Sequence, residues 1–183
     1  MGSKGAGAYV ALMRGINVGG KNMLPMKDLV VLFEKAGCTD VRHYIQSGNV
    51  IFRAPAALGR KIPEVIQKDI ERGFGLKVPI VLRTAEEWAT VARSNPFLTA
   101  GANAENLHVM FLADEPGAAG AALDPNRSPP DTFVLQGREI YLSLPNGAAR
   151  TKLTNAWFDS KLKTTSTSRN WRTVLTLLEM TGG

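Results

Sequence analysis

The stretch "VRHYIQSGNVIFR", Val41 to Arg53, decides the fold. Its first half alternates, with Val41, His43 and Ile45 on one face and Arg42, Tyr44 and Gln46 on the other, which is the period of a strand. Ser47-Gly48 interrupts the pattern, and Asn49 to Arg53, "NVIFR", resumes it as a second strand. Two strands meeting around Ser47-Gly48 read as a tight antiparallel hairpin.

Upstream, Tyr9 to Arg14, "YVALMR", is a short apolar run that stops at a glycine and reads as a buried strand. Pro25 suits a helix start, Met26, Leu29, Val30, Leu32 and Phe33 keep helical spacing, and Gly37 ends the run. Met1 to Gly7 reads as a flexible lead. Downstream, Leu58 to Phe74 places Ile62, Val65, Ile66, Ile70 and Phe74 on one helix face, and Val78 to Arg83 is a fourth strand with Pro79 at its start or edge. The order β-α-β-β-α-β is that of a ferredoxin-like plait, an antiparallel sheet with two helices on one face.

The second half repeats the order. Ala85 to Arg93 is a helix with Thr84 and Glu87 as a capping box, and "SNPF" ends it. Leu107 to Ala113 is a buried strand, a short helix starts near Pro116, and Asp124 to Asp131 is a proline-rich loop. Thr132 to Gln136 and Glu139 to Leu144 flank a Gly137-Arg138 turn. Lys152 to Leu162 is a helix, "KTTSTS" is extended, and Ser168 caps a last helix from Arg169 to Met180 striped by Trp171, Val174, Leu175 and Leu178. The expected fold is α+β: two tandem ferredoxin-like plaits with antiparallel sheets, 1–84 and 85–183, packed as one unit, with a C-terminal helix.

The chain has 183 residues, 44% hydrophobic and 21% charged, enough to bury about 70% of its unfolded surface. No apolar run reaches the ~18 residues of a membrane helix, and the N-terminus lacks a signal-peptide core, so the expected location is cytoplasmic with no membrane partner. Cys38 is the single cysteine, so no internal disulfide forms. His43 and His108 lack ligand spacing, so no metal or cofactor is expected. Net charge is +6, concentrated late: residues 150–172 hold Arg150, Lys152, Lys161, Lys163, Arg169 and Arg172 against Asp159 alone. Such an end attracts phosphate, nucleic acid or an acidic metabolite.

"RGINVGGKNMLP", Arg14 to Pro25, spells G-x-x-x-x-G-K-N, one residue from a phosphate-binding P-loop. Asn22 lacks the hydroxyl that binds Mg²⁺, and Pro25 starts the helix too late for Lys21 to sit in its first turn. An NTPase is therefore not expected. A narrower site is: Arg14 and Lys21 supply charge, Gly19 and Gly20 supply backbone amides, and Asn17 and Asn22 orient an anion. In a plait the first and third strands are antiparallel neighbours, which brings Ser47 and Asn49 beside this loop. Arg169, at the expected start of the last helix, is an additional candidate. The competing reading gives the same residues turn chemistry only.

"RGINVGGKN", "YIQSGNVIF", "SNPF" and "SRNWRTV", in this order, resemble the bacterial family known as domain of unknown function 1697. The resemblance runs from Arg14 to Val174 and implies a ferredoxin-like architecture. It brings no reaction, cofactor or catalytic residue. Three functions stay open: a binder of an anionic, phosphorylated or carboxylated small molecule, which could also be an enzyme; a single-stranded nucleic-acid binder; and a protein-interaction module. The third strand, "SGNVIFR", offers Phe52 but not the aromatic pair on which an RNA-binding plait stacks bases.

Overall fold

The computed structural model describes residues 5–183. The chain forms two compact units, one reaching to Ala89 and taking in Leu177–Gly183, the other Thr90–Thr176. Each holds a four-stranded antiparallel sheet with helices, a mixed α+β architecture.

In the first unit the order is β1 (Ala6–Met13), α1 (Met26–Lys35), β2 (Thr39–Tyr44), β3 (Asn49–Pro55), α2 (Ala56–Phe74) and β4 (Ile80–Thr84). The strands lie β2-β3-β1-β4 across the sheet, every neighbour antiparallel. β1 begins earlier than its apolar run suggests: Ala6 and Gly7 pair with Pro55 and Ala54, so this part of the expected flexible lead is strand. Residues 1–4 of that lead lie outside the described residues. Tyr9, Ala11, Met13, Val50, Phe52 and Ala54 face α1 and α2, packing on Leu29, Phe33, Ile62, Ile66 and Ile70. Tyr9 stacks on Phe52 with ring centroids 5.3 Å apart. Gly59 of α2 is where that helix passes the Tyr9 ring, since a Cβ there would lie 2.4 Å from it. Phe74, expected on the apolar stripe, is exposed at the helix end.

The second unit runs α4 (Pro96–Thr99), β5 (Leu107–Leu112), a 3-10 stretch (Gly117–Ala122), β6 (Thr132–Gln136), β7 (Glu139–Ser143), α5 (Asn155–Leu162) and β8 (Ser166–Asn170). Its sheet order is β6-β7-β5-β8, the same layout as the first. Helix α3 (Ala85–Arg93) follows β4, and α6 (Trp171–Met180) follows β8. The capping box at α3 forms as read: Thr84 N donates to Glu87 Oε2 at 2.8 Å, and Glu87 N to Thr84 Oγ1 at 3.1 Å.

The correspondence between the two sheets extends to one unusual residue. Arg83 is the fourth residue of β4 and pairs with Val10; Arg169 is the fourth residue of β8 and pairs with Val109. Both are buried, and each donates Nη1 to the carbonyl before it, Leu82 O at 2.9 Å and Ser168 O at 2.8 Å.

Three expectations are corrected here. The β2–β3 connection is four residues, Ile45–Gly48, because β2 already ends at Tyr44, paired with Asn49. The last helix starts at Trp171, with Asn170 accepting from Thr173 N at 2.9 Å; Arg169 is a strand residue, claimed by its ladder with β5. Leu175 is 41% exposed, and Leu177 takes its place in the core.

Candidate functional site

The Arg14–Pro25 connection is a small hairpin of its own. Lys21 N donates to Val18 O at 2.9 Å, and Asn17 N to Asn22 O at 3.1 Å, which closes a turn over Gly19-Gly20. Both glycines have positive φ, 57° and 72°, as a type I′ hairpin turn demands. The near-P-loop spelling thus encodes a two-glycine turn. A Cβ at Gly15, Gly19 or Gly20 would meet no atom within 4 Å, so these glycines serve backbone conformation and leave the space above them open.

Asn17 sets the position of this hairpin. Its Nδ2 donates to Leu24 O at 2.9 Å and to Gln46 O at 2.8 Å, while its Oδ1 accepts from Leu24 N at 2.7 Å. One side chain therefore closes the loop and ties it to the β2–β3 tip. Asn22 Nδ2 donates to Gly15 O at 2.9 Å. Asn17 and Asn22 themselves take positive φ, 54° and 52°, which Asn tolerates better than most residues.

The hairpin tip meets the loop as the strand order requires. Leu12 pairs with Asn49, and Met13 N donates to Gly48 O at 2.8 Å. Asn49 is fully buried and its Nδ2 donates to Tyr44 O at 3.0 Å and Ser47 Oγ at 3.1 Å. Gly48 is required twice over: φ is 86°, and a Cβ would lie 2.6 Å from Met13 Cβ. Ile45 has φ 47° while 47% exposed, a strained conformation for a β-branched residue, and such strain gathers at functional sites.

Arg14, Asn17, Gly19, Gly20, Lys21, Asn22, Ser47 and Asn49 thus come together on the first unit. Arg14 is half-buried and Lys21 exposed, while Val18 and Met23 flank Lys21 as exposed apolar side chains. Those apolar positions, and the strain at Ile45, carry no warning in the sequence. Arg169 belongs to the second unit, its Nη1 bonded to Thr167 Oγ1 at 2.7 Å, and burial pushes its guanidinium down to about 10, still charged at neutral pH.

Other chemistry is limited. Cys38 lies in the core, and burial pushes its thiol up to about 11, away from thiolate reactivity. Among the described residues no three His, Cys, Asp or Glu side chains gather, and no helix is long and apolar enough to cross a membrane. Phe52 is in the core, and Val10, Leu12, Ile51 and Val81 on the opposite sheet face are also buried, so this sheet exposes no aromatic platform for stacking bases.

No curated protein matches the chain. A solved structure, that of the conserved bacterial protein SP0830 from Streptococcus pneumoniae, is similar over 96% of this chain and 99% of that one, with a TM-score of 0.72 at 20% identity. That likeness extends to the fold. The family model described as "Protein of unknown function (DUF1697)" matches residues 7–141, which include the loop, the hairpin and most of both sheets, and the chain belongs to that family.

Proposed function

We propose that the Gly15–Asn22 loop binds the anionic group, phosphate or carboxylate, of a small molecule. The observation that supports this best is the braced hairpin carrying Lys21. The backbone N–H groups of Gly19 and Gly20 enter none of the loop's bonds described above, the space over both is open, and Arg14 begins the same loop. Successive backbone amides presented by a turn form an anion-binding concavity, and the cations stand beside it. In this reading Arg14 and Lys21 supply charge, and Gly19 and Gly20 supply amides. Asn17, Asn22, Ser47 and Asn49, whose side chains bond within the protein, hold the geometry. Arg169 has no part in it.

The scaffold reading is two tandem ferredoxin-like plaits, with the switch from one to the other after Thr84. The shared strand order and the matching buried arginines support it. The functional test is a thermal-shift screen with phosphorylated metabolites, nucleotides and dicarboxylates on wild type and the double variant Arg14→Ala, Lys21→Ala. At least one compound is expected to raise Tm in the wild type and lose that effect in the folded variant. No shift with any compound, or an equal shift in both proteins, contradicts the proposal.

A further inference from the structure

A second candidate site on the first unit shares none of the loop residues. A groove of about 530 Å³ is lined by Lys27 and Val30 of α1, by Val41, Arg42 and His43 of β2, and by Met180 at the end of α6. That volume is in the range of small-molecule sites. Val30, Val41 and Met180 are half-buried, while Lys27, Arg42 and His43 are exposed. The groove therefore has an apolar floor and a cationic rim, with no carboxylate among its lining residues. Arg42 Nη2 donates to Met180 O at 2.7 Å, which fixes the β2 wall against the end of α6. Arg42 Nε lies 3.6 Å from Asp40 Oδ1, and 47% of the Arg42 side chain stays exposed. Two of its five N–H donors account for these contacts, so the guanidinium keeps capacity for another acceptor.

We infer that this groove binds an amphipathic anion, an aliphatic chain bearing one carboxylate. The chain lies on Val30, Val41 and Met180, and the head group meets Lys27 and Arg42. Both halves of the ligand are needed. A small polar anion gains nothing from the apolar floor, and a neutral chain gains nothing from the cations. The site shares no residue with the loop, so either proposal stands or falls alone.

The test is titration of ¹⁵N-labelled protein with octanoate, with 1-octanol and acetate as comparisons, followed by amide chemical shifts. Octanoate is expected to give saturable shifts at Val30, Val41 and Met180, with 1-octanol and acetate each binding at least about fivefold more weakly. Lys27→Ala is expected to weaken octanoate about two- to fivefold and leave 1-octanol unchanged. Because Arg42 also caps α6, Arg42→Lys serves as the second variant, retaining charge and most of the octanoate affinity. Absence of saturable shifts, equal binding of octanoate and 1-octanol, or shifts centred elsewhere overturns the inference.

Discussion

Asn17 connects the loop to the hairpin through three hydrogen bonds on one side chain. Its replacement by Ala is expected to cost about 1–3 kcal/mol, through unsatisfied partners and loss of a residue suited to φ 54°. Asn22→Ala, which loses the side-chain bond to Gly15 O, is expected to cost less. Urea midpoints of both variants check the order. The glycines divide by a different rule. Gly48→Ala combines positive φ with a 2.6 Å approach to Met13 and is expected to cost about 2–4 kcal/mol. Gly19→Ala has only the φ penalty, about 1 kcal/mol. Ile45 runs the other way: Ile45→Asn relieves a left-handed β-branched residue and is expected to raise the urea midpoint, by about 1 kcal/mol in stability. A lowered midpoint would mean that Ile45 packing outweighs its strain.

Elements were legible in the sequence where a local rule acts alone, and shifted where partners decide. Gly37, Pro25 and the Thr84–Glu87 box mark helix ends that the structure keeps within a residue or two. "STSRN" shows the opposite case. Ser168 and Asn170 are both good N-caps, and only the ladder of β8 with β5 assigns the helix start to Asn170 and buries Arg169. The neighbouring β5 carries a titration. Burial holds His108 below its ordinary 6.5, and its Nδ1 has no hydrogen-bond partner. The unfolded chain therefore takes up a proton at higher pH than the folded one. The stability associated with neutral His108 is fully present above about pH 6.5 and declines as pH falls through that value toward the lower folded pKa. Urea midpoints from pH 8 to 5 are expected to fall more steeply in wild type than in His108→Gln; parallel slopes would show that His108 titrates alike in both states.

At the scale of the molecule, the β-α-β-β order was legible because periodicity and turn residues agree, and it predicted that the end of β1 would meet the β2–β3 tip. The Leu12–Asn49 pairing and the Asn17–Gln46 bond realise that meeting. What could not be read was how the loop's polar side chains are used. Residue type shows that Asn17, Asn22 and Asn49 are able to bond; only the fold shows that their amides bond to backbone carbonyls of the protein itself. The matching of Arg83 and Arg169 was hidden for a similar reason, since the surrounding sequences, "IVLRT" and "STSRN", share little beyond the arginine. The central claim is that an anion sits over Gly19-Gly20 beside Lys21. The most direct measurement is anomalous diffraction from crystals grown with selenate. A selenium peak within hydrogen-bonding reach of the Gly19 and Gly20 amides is the predicted result; selenate bound elsewhere, with none over an accessible Gly15–Asn22 loop, would contradict it.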